Sequence, residues 1–184
     1  MSTCPLIIDF EASSVFNEGS YPIEMAWTRT DGQIVSHLID ISPVMNDVYW
    51  SEDSEMIHSI SLDDLLTKGK DATEVVQEFI NDLGGRKVVF SDGPSMDYEW
   101  MQKLFAMAGQ KPPFAMVQDY NALILTVVKQ RIGDVSQAKE TVDSLVSDGV
   151  DAHRLHRAGD DVLALRNTYI RAMHVRPKIT YAMA

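Results

Sequence analysis

The stretch Pro5-Leu6-Ile7-Ile8-Asp9-Phe10-Glu11, near the start of the chain, decides how the fold is built. A short apolar run that ends in an acidic residue is typical of a buried strand whose end emerges at a surface. Asp9 and Glu11 are two residues apart, so both carboxylates project from the same side of that strand. Because two close carboxylates repel each other unless a cation lies between them, the pair is a candidate oxygen-ligand site for Mg²⁺ or Mn²⁺.

Further strand and helix signals follow this first strand. Residues 21–30 and 33–41 are β-type runs separated by Asp31-Gly32, a strong signal for a two-residue hairpin turn. Residues 42–72 indicate short helical turns and loops, with a helix start near Ser61. The later predicted elements are a helix over Ala72–Leu83, a strand at 87–91, a helix at 97–108, a short strand at 114–117, and helices at about 119–131, 136–147 and Ala158–Met173. This order predicts an α/β layer structure on a mixed five-stranded sheet flanked by helices.

Composition narrows the class of protein. A chain of 184 residues has the size of one domain, so we expect a single domain over residues 1–184. The hydrophobic share of 45% with 23% charged residues excludes a disordered or collagen-like chain. The single cysteine, Cys4, excludes an internal disulfide and fits a reducing compartment, and no apolar run is long enough for a membrane span. The sequence therefore predicts a cytoplasmic protein without a membrane partner.

The charge distribution bears on nucleic-acid binding. The net charge of −11 argues against a protein that wraps nucleic acid. The excess is concentrated in residues 1–64, which hold Arg29 as their one basic residue against twelve acidic ones. Residues 152–184 are locally basic and include Arg157, which makes this segment a candidate contact for phosphate or, alternatively, an ordinary solvated helix face.

Other acidic residues fall where separate elements begin. Asp97 opens the helix after the fourth predicted strand, and Asp161 lies one turn into the last helix, five residues after His156. Taken alone, each carboxylate is more often a helix cap or a solvated group than a ligand. Neither paired cysteines nor a histidine cluster is present, so a shared site would suit hard cations rather than zinc.

Three motifs together resemble those of the DEDDh 3′-5′ exonucleases, which include RNase T, oligoribonuclease and polymerase proofreading subunits. They are Asp9-Phe10-Glu11, Asp97 ahead of Trp100-Met101, and His156-Arg157-Ala158-Gly159-Asp160-Asp161. The segments Ile23-Glu24-Met25-Ala26 and Ile57-His58-Ser59-Ile60 are weaker echoes of the same family. The resemblance implies an RNase H-like three-layer fold.

Two departures from the family pattern leave alternatives open. The family usually has Asn shortly before an aromatic-Asp pair, whereas this chain has Asp92 and Met96, so Asp97 is the chosen ligand and Asp92 its rival. The first motif usually continues with Thr. Here the residues in that place, which we expect to touch the terminal nucleotide, are Ala12, Ser13 and Ser14.

The resemblance also implies an activity. Two Mg²⁺ or Mn²⁺ ions bound by Asp9, Glu11, Asp97 and Asp161 would clamp the scissile phosphate. His156 would act as general base, a role for which His153 is the alternative; the HxAxxD spacing favours His156. The implied substrate is the 3′ end of single-stranded or short nucleic acid, with RNA slightly favoured and nucleoside monophosphates released.

Aromatic side chains are the expected contacts for terminal bases. Phe16 is an even choice between stacking and packing, whereas core packing is favoured for Phe10 and Trp100. Two other functions remain open, an inactive binding or scaffold domain of the same fold and an enzyme that hydrolyses a small phosphoester. Several single-domain members of the family pair, so the resemblance also allows a homodimer.

Overall fold

A computed structural model describes residues 4–15, 18–147 and 156–177. The strands are β1 (Ile8–Ala12), β2 (Pro22–Thr28), β3 (Ile34–Leu38), β4 (Phe90–Ser91) and β5 (Gln118–Asp119). The helices are α1 (Glu52–His58), α2 (Leu62–Lys68), α3 (Ala72–Leu83), α4 (Pro94–Met107), α5 (Tyr120–Ile132), α6 (Val135–Ser147) and α7 (Ala158–Met173), with a 3₁₀ helix at Ser42–Asp47.

The first three strands form an antiparallel sheet in the order β1-β2-β3. The register places Glu11 of β1 opposite Glu24 of β2, just before an irregularity at Ala12. The predicted hairpin between β2 and β3 is present, but its loop is longer than the predicted two residues. The Arg29 amide donates to the Gln33 carbonyl at 2.7 Å, and Gly32 has a φ of +84°, as in a three-residue loop.

Strands β4 and β5 form a separate parallel pair. One isolated parallel bridge, between Ile7 and Phe90, links this pair to β1. The five predicted strands are therefore present as a three-stranded sheet and a two-stranded pair rather than one continuous ladder. The predicted strand at 114–117 was wrong in position. Phe114 and Val117 are buried in the core, but strand pairing begins only at Gln118. An apolar run indicates that residues are buried, and not that they pair with another strand.

Helices cover both faces of the antiparallel sheet. Ile8 and Phe10 of β1 pack in one core with residues of α3 and α4. On the other face, Ala26 of β2 contacts Ala158 and Val162 at the start of α7, while α5 and α6 pack with the remainder of α7 in a second core. The alternation of β1 therefore turns Asp9 and Glu11 away from the α3 and α4 core.

Local sequence signals set most helix boundaries. The predicted bounds of α3 and α7 are those observed, and α2 begins after Ser61 with a capping box to Asp64. Helix α4 begins earlier than predicted, at Pro94, because proline suits the first turn of a helix. Among the described residues, no helix has the length and apolar character needed to cross a bilayer.

Candidate metal centre

Carboxylates from β1 and α7 meet on the face of the sheet that α7 covers. One oxygen each from Asp9, Glu11 and Asp161 lies within 4.8 Å of the other two. Oxygen ligands bind Mg²⁺ or Ca²⁺ at about 2.0 to 2.6 Å, so oxygens within about 5 Å of one another can share one ion. Three residues that the sequence assigned to a metal site are thus brought together.

A second group of carboxylates shares Asp9 with the first. One oxygen each from Asp9, Asp92 and Asp97 again lies within 4.8 Å of the other two. Asp97 is 2% exposed, whereas Asp92 is exposed to solvent. The choice between Asp92 and Asp97 that the sequence left open is not exclusive, because both side chains approach Asp9.

Burial and neighbouring negative charges raise the pKa of several carboxyl groups in these two clusters. Burial raises the pKa of Asp9 well above its ordinary value, and the charges of Asp97, Asp92 and Glu11 raise it further. Burial and then the charge of Glu24 raise the pKa of Glu11 to about 7, although Arg157 acts in the opposite direction.

The pKa of Asp97, which is more buried than Glu11, is also raised. Burial, with a smaller contribution from Asp92, raises its pKa to about 7 despite the opposing effect of the Ser91 hydroxyl. Asp97 Oδ2 and Ser91 Oγ are buried, and neither forms a hydrogen bond of normal geometry among the described residues, although the two groups are near enough for the hydroxyl to lower the pKa of Asp97. A divalent cation would supply both the missing charge and a partner for such an oxygen, so the donor set fits a hard metal ion.

Glu24 holds the start of α7 against the sheet. This carboxylate is 3% exposed and accepts hydrogen bonds from Arg157 Nε at 2.9 Å, Arg157 Nη2 at 2.8 Å, the Ala158 amide at 3.1 Å and Ser36 Oγ at 2.8 Å. Since α7 carries Asp161, these bonds fix Asp161 relative to Glu11. In the sequence, Glu24 stands out only within a weaker echo of the family; the signal for its role is an acid inside strand β2, whose other residues are apolar except Thr28.

Arg157, the predicted phosphate contact, and His156, the predicted general base, lie in different surroundings. Two nitrogens of Arg157, a candidate phosphate contact, are paired with Glu24, and the side chain is 38% exposed. His156 is exposed and immediately precedes Arg157, which is the N-cap of α7. It therefore lies at the same end of α7 as Asp161 and is open to solvent. His153 lies outside the described residues.

The residues after β1 are mostly buried. Ser13 is fully buried, and its hydroxyl accepts a hydrogen bond from the Tyr21 amide at 3.0 Å; its predicted contact with the terminal nucleotide stays a prediction. Ala12 and Ser14 are 6% and 3% exposed. Phe16 lies outside the described residues, so its predicted stacking role stays a prediction.

The two aromatic residues favoured for packing do pack. Phe10 is 5% exposed in the core, and Trp100 packs against the same core while its Nε1 donates to Ser20 Oγ at 3.0 Å.

Comparisons with known proteins are consistent with this geometry. The family model RNase_T, described as an exonuclease, matches residues 6–169. No curated protein matches the sequence. Similar solved structures include E. coli exonuclease I with a dA16 oligonucleotide, at a TM-score of 0.63 and 14% identity over 92% of this chain and 41% of that one.

Two further structures resemble the chain to the same degree. The zinc-bound E. coli exonuclease I–ssDNA complex has a TM-score of 0.63 and 15% identity over 94% of this chain and 40% of that one. Exonuclease I from Methylocaldum szegediense has a TM-score of 0.60 and 14% identity over 92% and 40%. At these identities the likeness establishes the fold alone, and the chain spans about two fifths of the length of the matched structures.

Proposed function

Because the chain belongs to the RNase T exonuclease family, a DEDD family, we propose that it is a metal-dependent 3′-5′ exonuclease. The proposed reaction hydrolyses the terminal phosphodiester bond of single-stranded or short nucleic acid and releases nucleoside monophosphates. The observation that carries the proposal is the pair of carboxylate groups that share Asp9, together with the raised pKa values of Asp9, Glu11 and Asp97. Carboxylates held in this state suit divalent cations as partners.

The proposed ligand set divides between two ions. Asp9, Glu11 and Asp161 would hold one Mg²⁺ or Mn²⁺, and Asp9 with Asp97 would hold the other. Two such ions supply positive charge for the scissile phosphate and for the leaving 3′ oxygen, and they make a nearby water more acidic.

The remaining chemistry is assigned to residues of the chain. His156 would accept the proton of the attacking water as its oxygen bonds to phosphorus and the bond to the 3′ oxygen breaks. Its solvent-facing position at the start of α7 lets it pass that proton to bulk water. Glu24, through Arg157 and the Ala158 amide, would keep His156 and Asp161 in place.

The proposed substrate contacts are few. Ala12, Ser13 and Ser14, which follow Glu11 in the chain, and Phe16 are proposed to contact the terminal nucleotide, and Arg157 is proposed to face a phosphate. A protein with a net charge of −11 suits a substrate that is held through few phosphates. Each phosphate contact needs a basic group, which strengthens binding by releasing counterions from the nucleic acid. RNA is the first substrate proposed, and DNA is the matched alternative because E. coli exonuclease I was crystallised with a DNA oligonucleotide.

Other parts of the proposal concern assembly. We propose that the β4–β5 pair and the antiparallel sheet act as one mixed sheet of the RNase H-like type, joined at Ile7 and Phe90. The homodimer and the cytoplasmic location stay predictions.

The test uses one oligonucleotide labelled separately at each end, as RNA and as DNA, with Mg²⁺ or Mn²⁺. A 3′-5′ exonuclease releases labelled mononucleotide at once from the 3′-labelled strand and produces a ladder from the 5′-labelled strand. Asp9→Asn and His156→Ala should remove this activity, whereas Asp63→Asn, an equal charge change at an exposed position, should not. Intact oligonucleotides after long incubation with Mn²⁺ would favour the scaffold alternative, and near-wild-type rates in Asp9→Asn would remove the proposal.

A further inference from the structure

We propose that Asp92 is a fifth carboxylate ligand of the metal centre, and that it holds the second ion jointly with Asp9 and Asp97. This inference rests on the proposed function and extends its ligand set. It concerns the position where the sequence departs from the family motif, which usually has Asn in this region. The departure would turn a site with two protein carboxylates into one with three.

The distances allow Asp92 to share an ion with Asp9 and Asp97. An oxygen of Asp92 lies within 4.8 Å of oxygens of both Asp9 and Asp97, the same limit that joins Asp9 to Glu11 and Asp161. Asp9 is common to both groups, so it is placed to bridge two neighbouring ions. Each ion would then contact three carboxylates, a set of hard oxygen ligands that suits Mg²⁺ or Mn²⁺.

A buried oxygen provides the second observation. Asp97 Oδ2 belongs to a side chain that is 2% exposed, and it forms no hydrogen bond of normal geometry among the described residues, although the Ser91 hydroxyl is near enough to act on this carboxyl group. A buried carboxylate oxygen without a full hydrogen-bond partner is unfavourable relative to one in water unless another group binds it. One oxygen of Asp97 lies within 4.8 Å of oxygens of Asp92 and Asp9, so a group bound among them faces three carboxylates. A cation is favoured at such a place.

Asp92 fills neither of the ordinary structural roles of an aspartate at a helix start, which are helix capping and ion pairing. Gly93, not Asp92, is the N-cap of α4, and no side chain caps this helix end. Within the described part of the chain, no Lys or Arg forms an ion pair with Asp92, Asp97 or Asp9. The charge of Asp92 therefore lies beside those of Asp9 and Asp97 without a compensating Lys or Arg in that part of the chain.

The experiment measures Mn²⁺ binding to the whole chain without nucleic acid, by calorimetry and by the electron paramagnetic resonance signal of free Mn²⁺. Wild type should bind two ions. Asp92→Asn and Asp97→Asn should each weaken the same ion by about tenfold or more, since loss of even an outer-shell partner commonly weakens a metal site 10- to 100-fold. Glu11→Gln should weaken the other ion, and Asp63→Asn should change neither.

A fold control accompanies the binding data. In EDTA, Asp92→Asn should unfold at a temperature no lower than wild type because it removes a repelling charge, while its stabilisation by Mn²⁺ should be smaller than that of wild type. An Asp92→Asn chain that binds two Mn²⁺ ions with wild-type affinities overturns the inference, as does a wild-type isotherm with a single site. If wild type still cleaves oligonucleotides in either case, only the role of Asp92 is lost. If wild type neither binds Mn²⁺ nor cleaves, the proposed function is lost with it.

Discussion

Two groups of acidic side chains in this molecule have opposite electrostatic surroundings. The paired cluster consists of Glu78 and Asp82 on α3 with Arg29, His37 and Lys70. Here Lys70 Nζ lies 2.7 Å from Glu78 Oε2 and Arg29 Nε lies 2.8 Å from Asp82 Oδ2. The hydrogen bond from Lys70 is the main reason that the pKa of Glu78 is lowered.

The metal centre consists of Asp9, Glu11, Asp92, Asp97 and Asp161, and its surroundings raise carboxyl pKa values instead of lowering them. The pKa values of Asp9, Glu11 and Asp97 are raised, because burial and like charges outweigh the opposing effects of Arg157 on Glu11 and of Ser91 on Asp97. The comparison separates carboxylates that serve the fold from those that lower its stability. Negative charge that the protein leaves unmatched in a partly buried place is a sign of a ligand, whereas matched charge is a sign of structure.

The largest expected effect concerns Asp9, which both halves of the metal centre share. Asp9→Asn should reduce 3′-end cleavage by more than about 100-fold, since loss of a shared ligand exceeds the loss of an outer-shell partner. In EDTA the same variant should be at least as stable as wild type, because a repelling carboxylate has gone. Thermal unfolding with EDTA and with Mn²⁺ measures both effects. If Asp9→Asn were clearly less stable than wild type in EDTA, Asp9 would belong with the carboxylates that stabilise the fold, and the contrast between the two groups would be wrong.

Glu24 provides a sharper comparison, because it is an ion-paired carboxylate directly opposite Glu11 of the metal centre. Glu24→Gln should lower the unfolding free energy by about 3 kcal/mol, as expected when one partner of a buried ion pair is lost. Cleavage by the folded variant should fall about 10- to 100-fold, as for loss of a supporting partner of a metal ligand. Activity is compared with that of Ser36→Ala, which removes one hydrogen bond to the same carboxylate. Equal activity in the two variants would assign Glu24 to stability alone.

The metal centre and the paired cluster should have opposite effects on how the unfolding free energy changes with pH. Between the ordinary carboxyl pKa of about 4 and the value of about 7 at Glu11 and Asp97, the native state binds more protons than the unfolded state. The unfolding free energy in EDTA should therefore fall as pH rises through this window, and saturating Mn²⁺ should remove the fall. Glu78, with its lowered pKa, contributes stability that is lost only as pH drops below its ordinary range. Urea unfolding at pH 5 and pH 8 gives the sign, and a rise in EDTA would contradict it.

The smallest effect is expected in the paired cluster. Glu78→Gln should change the unfolding free energy by no more than about 1 kcal/mol, because partly exposed ion pairs contribute little. Cleavage per folded molecule should match wild type, since Glu78 lies on α3 and outside the metal centre. A large loss of activity in Glu78→Gln would show that the two groups are coupled.

Local patterns in the sequence predicted the helices and the first carboxylate pair. The bounds of α3 followed from apolar residues at helical spacing and from Gly84, which takes a φ of +57° at the helix end. The period of two along β1 was sufficient to place Asp9 and Glu11 on one face.

Features that depend on tertiary contacts were not predictable in the same way. β4 and β5 have two residues each, too few for a periodic signal, so their position was misjudged. The approach of both Asp92 and Asp97 to Asp9 depends on the path of the turn before α4. The bonds between Glu24 and Arg157 join residues 133 positions apart, a separation that no local pattern encodes.

The position of Asp161 on the final described helix has a consequence during biosynthesis. While the ribosome is still adding residues before α7, the growing chain carries Asp9 and Glu11 but not their third partner, and Glu24 has no guanidinium to bind. An unfinished or prematurely released polypeptide therefore lacks the third carboxylate of this group and the guanidinium that Glu24 binds. Both are supplied only once translation has passed the start of α7.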